Sequence, residues 1–255
     1  MLRRTVSLHI VEKEGCGGGC ANWLIGSRDG EQNYLEGMKS VRRTFATVVA
    51  GLLLVTTVSI GDAAADQLER GRKIFALCAQ CHGEKADGNS LSLAPAIAGL
   101  KIWYIERQLE FFRSGVRGLH PEDVAGMRMA PMARTLRSDE DVAAVAAYVA
   151  SLPPARPEPE VHGGDPERGK THYALCASCH GQDGAGNQQM SSPALKYASD
   201  WYLLSQLEKY RAGVRGANPG NPNGAVMRPM AMTLPDGQAL KDVVAHIMTL
   251  SKQAK

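Results

Sequence analysis

Two short segments, Cys78-Ala-Gln-Cys81-His82 and Cys176-Ala-Ser-Cys179-His180, carry residue types that can do chemistry together. In each, two thiols lie about one helical turn apart and a histidine follows at once. Thiols at that spacing can add to two vinyl groups as thioethers, with the adjacent histidine then sitting beneath an iron. Cys-x-x-Cys-His is the attachment pattern of c-type haem. A zinc site would need a second pair of ligands near each segment, and the sequence supplies none. A thioredoxin-like redox pair expects a βαβ context, which is absent. The reading is two covalently attached c-type haems, on Cys78 and Cys81 and on Cys176 and Cys179, with His82 and His180 as proximal iron ligands. The third pair, in Cys16-Gly-Gly-Gly-Cys20, lacks histidine and any completing pair.

The two segments belong to a longer duplication. At an offset of 98 residues Arg70-Gly71 falls on Arg168-Gly169, Gly88-Asn89 on Gly186-Asn187 and Pro95-Ala96 on Pro193-Ala194. Trp103-Tyr104 falls on Trp201-Tyr202, Gln108-Leu109 on Gln206-Leu207, and Gly115-Val-Arg-Gly118 on Gly213-Val-Arg-Gly216. Met129 meets Met227, Pro131-Met132-Ala133 meets Pro229-Met230-Ala231, and Leu136 meets Leu234. A period of this size is a domain, not a solenoid repeat. Between the copies, Pro153-Pro154-Ala-Arg-Pro157-Glu-Pro159-Glu160 favours extended geometry and reads as a semi-rigid linker over 153–164. Domains at 66–152 and 165–255 follow.

Positioning these residues calls for helices. Gln67 to Cys81 carries a stripe of Leu68, Ile74, Phe75 and Leu77, and Ile102 to Ser114 carries Trp103, Ile105, Leu109 and Phe112 before stopping at Gly115. Ser138-Asp-Glu-Asp141 forms a capping box ahead of Val142, Val145, Ala146, Val149 and Leu152, and Asp236 caps the matching last helix. No alternating strand run appears. The fold expected is all-α, in two small domains.

Upstream, Met38-Lys-Ser-Val-Arg-Arg leads into an apolar run from Phe45 to Ile60 and then Ala63-Ala64-Ala65. This is the pattern of a secretory signal over 38–65 with cleavage after Ala65; a stretch of about 17 residues is at the lower limit for a retained membrane anchor. Residues 1–37 then read as a misassigned extension, with Met38 the initiator.

Composition sets further bounds. With 44% hydrophobic residues in 255 the chain is not an intrinsically disordered one. A net charge of +3, with no basic stripe, argues against a nucleic-acid partner. Aromatics make up only 5%, against 27 glycines, so each small domain is short of core; a haem, as a large flat hydrophobe, fills that gap.

The iron needs a sixth ligand or keeps a vacancy. Methionines duplicated at the common offset are Met129/Met227 and Met132/Met230, whereas Met127 falls on Ala225 and Met232 on Arg134. Both duplicated pairs stand in a Pro- and Gly-containing stretch before the last helix, read as a loop folding across the haem face. Spacing does not choose between them.

Residues 66–255 resemble the dihaem cytochromes c of the cytochrome c4 type, each half resembling a class I cytochrome c domain. The resemblance rests on the two Cys-x-x-Cys-His sites, the runs Met129–Leu136 and Met227–Leu234 and the flanking helices. It implies two tandem class I cytochrome c domains, each wrapped around one haem, with Met129 and Met227 as axial ligands and Met132 and Met230 as packing residues. It implies that the carbonyls of Pro95 and Pro193 accept from His82 and His180, as partners of ligating histidines do. Arg113, Arg117, Arg211 and Arg215, in duplicated segments, become candidates to face haem propionates.

The function implied is that of an exported, periplasmic carrier of single electrons rather than an enzyme. Its donor would be a quinol-oxidising complex or a dehydrogenase, and its acceptor a terminal oxidase or reductase. The wording around Met227 also resembles cytochrome domains of the oxidase pathway, which points to cytochrome c oxidase. Membrane association would come only through partners or an uncleaved signal. Two other readings stand beside it: a dihaem peroxidase-like enzyme, which needs one open iron face, and a cytochrome subunit of a dehydrogenase complex.

Overall fold

The computed structural model describes residues 63–253. The expected extension over 1–37, with Cys16 and Cys20, lies outside them, as do residues 38–62 of the export signal expected over 38–65. The described chain is built from eight helices. The first half holds α1 over 63–82, α2 (Ile102–Ser114), α3 (Val124–Ala133) and α4 (Asp139–Ser151). The second repeats the order as α5 (Pro166–His180), α6 (Asp200–Ala212), α7 (Pro222–Met232) and α8 (Gly237–Gln253). Among the described residues β-pairing is limited to isolated bridges, Asn89 with Ala94 and Asn187 with Ser192. The all-α expectation is met, and none of the described helices is long and apolar enough to cross a membrane.

Local signals explain where the helices begin and end. Ser138 Oγ accepts the Asp141 N–H at 3.2 Å and caps α4, the Asp141 carboxylate accepting the Arg137 N–H in return, and Asp236 Oδ1 accepts from Ala239 at 2.8 Å at the start of α8. Gly115 (φ 79°) and Gly213 (φ 77°) stop α2 and α6 in the left-handed region, where a side chain would be strained. In each half the first helix crosses the last at a glycine. A Cβ on Gly71 would run into the Ala144 carbonyl, and one on Gly169 into that of Asp242. The cores beneath are apolar and mostly aliphatic, with Phe75, Ile105, Leu109, Phe112, Val145 and Val149 in one half. Tyr173, Leu203, Leu240, Val243 and Ile247 are among those in the other.

The crossings are not equivalent. Where the first half has Ala144, the second buries Asp242, whose carboxylate takes Arg168 Nε at 2.8 Å, the Asp165 N–H at 2.8 Å and Gln238 Nε2 at 2.8 Å. The Arg168 hydrogen bond is the main reason its carboxyl is held down to about 2. A folded-state value below the unfolded one gives stability that is present above the unfolded value of about 4 and is lost as pH falls towards 2. Acid unfolding of the second half should therefore be blunted in Asp242→Asn, which starts less stable at neutral pH and loses less between pH 4 and 2. A circular dichroism titration parallel to that of the parent chain would contradict this.

The Pro-rich linker is tied at both ends. The Ala155 N–H donates to Ala98 O in the first half at 3.2 Å. The N–H groups of Glu160 and Val161 both donate to Asp200 Oδ2 at 2.7 Å in the second.

Candidate functional site

Helix α1 delivers Cys78, Cys81 and His82 on its last turn, and α5 delivers Cys176, Cys179 and His180 in the same way. His82 and His180 are buried, and each ring Nδ1 lies 2.8 Å from a proline carbonyl, Pro95 and Pro193 respectively. A carbonyl only accepts, so Nδ1 carries the proton and donates, leaving the Nε2 lone pair for a metal. Burial pushes both imidazoles below their ordinary pKa, which favours the neutral, ligating form; the carbonyl bond opposes this more weakly.

The loop that brings each proline back is clamped by backbone. Gly88 N–H donates to His82 O at 2.9 Å, and Gly186 N–H to His180 O at 2.8 Å. Asn89 and Ala94 exchange two hydrogen bonds, as do Asn187 and Ser192. Gly88 takes a φ of 90° and packs on the Pro95–Ala96 peptide, and a Cβ there would collide with it.

The methionines stand on helices, which corrects the expected loop. The duplicated prolines suggest a break, yet the segments start well: Asp123 Oδ1 accepts the Gly126 N–H at 3.0 Å, and Asn221 Oδ1 that of Gly224 at 2.9 Å. Pro131 and Pro229 come late and cost α3 and α7 one internal hydrogen bond each. Met129 and Met132, three residues apart, share a face of α3, as Met227 and Met230 share one of α7. All four are partly buried; Met129 packs against the first core alongside Cys78.

The candidate propionate arginines divide into two kinds. Arg113 is held by Asp139 at 2.9 Å and Glu110 at 3.5 Å; Arg211 is partly buried on α6. Arg117 and Arg215 instead meet at the seam between the halves. Arg117 donates to Gln108 Oε1 in its own half (2.8 Å) and to Tyr202 Oη and Gln206 Oε1 across the seam (3.1 Å each). Arg215 mirrors this, with Gln206 at 2.7 Å, Gln108 at 3.3 Å and Tyr104 at 3.5 Å. The guanidiniums stack over Phe112 and Tyr210. Neither has an ion-pair partner among the described residues, and both Nε atoms are buried without a hydrogen bond. Burial opposes ionisation of Tyr202, but Arg117, Arg215 and Lys209 outweigh it and bring its hydroxyl down to about 8.

Two guanidiniums with buried, orphaned Nε donors call for anions, and two buried imidazoles with a free Nε2 call for a metal. Together with the paired thiols, these residues fit haem, whose iron and carboxylates would answer both. The seam residues Tyr104, Gln108, Tyr202 and Gln206 were not singled out as site residues from sequence. The available signal was two polar side chains, four apart and duplicated, on one helix face.

A sequence profile of the cytochrome c family matches residues 68–153 and 166–251. The chain belongs to the cytochrome c family. It is 32% identical over 221 residues to a thiosulfate dehydrogenase electron acceptor of Stutzerimonas stutzeri, covering 82% of this chain and 97% of that one. It is 36% identical over 129 residues to the Cbb3-type cytochrome c oxidase subunit CcoP of Rubrivivax gelatinosus, covering 49% of this chain and 38% of that one. The crystal structure of reduced recombinant cytochrome c4 from Pseudomonas stutzeri superposes with a TM-score of 0.55 and 26% identity, over 71% of this chain and 97% of that one. The chain is thus a dihaem cytochrome c of the cytochrome c4 type, an electron carrier with two covalently attached c-type haems.

Proposed function

We propose that this cytochrome is an exported, periplasmic carrier taking single electrons from a quinol-oxidising complex or a dehydrogenase and passing them to a terminal oxidase. The observation that carries the reading is the complete repetition of the site: cysteine pair, histidine, proline carbonyl and methionine helix recur in both halves. Both halves keep the same methionines, whereas a peroxidase would need one open iron face.

The haems supply the one-electron ferrous–ferric couple. The chain's own residues do the rest. Cys78, Cys81, Cys176 and Cys179 fix the attachment, and His82 and His180 ligate through Nε2, oriented by Pro95 and Pro193. Met129 and Met227 complete the coordination, a histidine–methionine set that raises the potential over bis-histidine. Arg117 and Arg215, with their unpartnered Nε atoms, would take propionates at the seam. The dehydrogenase donor is supported by the likeness to a thiosulfate dehydrogenase electron acceptor, and the oxidase acceptor by the likeness to an oxidase subunit.

The test is turnover between partners. The haem-loaded protein, added in catalytic amount, should restore oxygen uptake by a cbb3-type oxidase supplied by a quinol-oxidising complex or by thiosulfate with its dehydrogenase. Sustained consumption of peroxide by the reduced protein, with no effect on oxygen uptake, would sink the carrier reading.

A further inference from the structure

The seam that the duplication makes nearly two-fold carries an unrepeated ion pair. Asp123, the N-cap of α3, is 3% exposed and accepts both the Gly126 N–H and Lys209 Nζ, the latter at 2.7 Å from α6 of the other half. Burial by itself raises this carboxyl; Lys209, with Arg117 beyond it, outweighs that and holds it below the usual carboxylate range. The second half has no counterpart. Its cap at the matching position is the neutral Asn221, and the residue matching Lys209 is Phe111. What meets that end of the second half is apolar, Val116 lying against Gly220.

We infer that Asp123 and Lys209 make the second half a clamp on the methionine helix of the first, so that Met129 is held from outside its own domain while Met227 is not. Lys209 and Asp123 are positioning residues: they act on α3 and, through it, on the ligand. The pair is nearly dry, with side-chain exposures of 15% and 4%, so it is neither screened nor free to swing. A helix pinned at its first turn by a charge from another domain resists the tilt that would carry Met129 away. This rests on the reading of Met129 and Met227 as axial ligands.

The experiment uses the haem-loaded protein in two backgrounds. In Met227→His the methionine–ferric iron charge-transfer band at the red edge of the visible spectrum reports the first haem alone; in Met129→His it reports the second. Adding Lys209→Met should shift loss of the first band to lower urea, by about tenfold or more in the ratio of ligated to unligated iron at fixed urea, the scale of a broken buried pair. The second band should hold within about twofold. Lys209→Arg should restore the first.

The double variant Asp123→Asn, Lys209→Met separates a clamp from a stranded charge. It should recover helical stability by circular dichroism while the first band stays weak. Recovery of both, or equal weakening in the two backgrounds, would overturn the inference. Absence of the band in Met227→His before any change at Lys209 would overturn the ligand assignment, and the clamp with it.

Discussion

Replacing Met129 or Met227 by alanine is expected to remove the methionine–ferric iron charge-transfer band of one haem and lower the potential of that haem alone. A thioether favours ferrous iron, and axial ligands set haem potentials over about 0.8 V, so losing one should cost a substantial part of that range. Redox titration of the parent and the two variants measures it: one wave should move and the other stay. The vacancy should also let that haem bind small ligands that the parent is expected to exclude. Alanine at Met132 or Met230 is the matched control, since each shares the helix face of its neighbour. These should keep both bands and lose only packing. Loss of a band in Met132→Ala or Met230→Ala, with Met129→Ala and Met227→Ala intact, would reverse the assignment.

Arg117→Leu together with Arg215→Leu is expected to separate the halves energetically. Each guanidinium bridges the seam to a glutamine and a tyrosine of the other half. Hydrogen bonds from charged groups are worth about 1.5–3 kcal/mol each when buried. Losing both also strips the Oε1 atoms of Gln108 and Gln206 of these donors, and would leave propionates held there without their cations. Thermal unfolding of the double variant should resolve into two transitions, where the parent should unfold more cooperatively. Both reduction waves should move to lower potential, since removing nearby positive charge favours the ferric state. A single unchanged transition with unmoved potentials would show that the seam carries neither load.

Much of the site was legible because it is local. Cys-x-x-Cys-His at one helical turn, Ser138 ahead of Asp141, and Gly115 after Ser114 are short-range signals, and each is found where its spacing puts it. The fixed offset then extended each observation to the other half. Pro131 and Pro229 misled, since they read as breakers while the caps at Asp123 and Asn221 sufficed to start helices around them. The seam was illegible for a different reason. Its partners are a hundred residues apart and mostly neutral, so neither charge pattern nor periodicity marks Tyr104 against Arg215 or Gln206 against Arg117. Asp242 was hidden by the duplication itself, which invites the eye to what repeats and not to a carboxylate standing where the other copy has Ala144.

The crossings at Gly71 and Gly169 bear on timing. In each half the helix that carries the cysteines is the first made, and the helix it packs against is the last. Until that last helix is made, the cysteine helix has no partner for the face that Gly71 or Gly169 presents, and such a long-range contact is late to form. The first half meets this condition once α4 is complete, while the second is still being synthesised. The order of elements therefore leaves each cysteine helix without its packing partner until the end of its own half, and the two halves complete that contact one after the other.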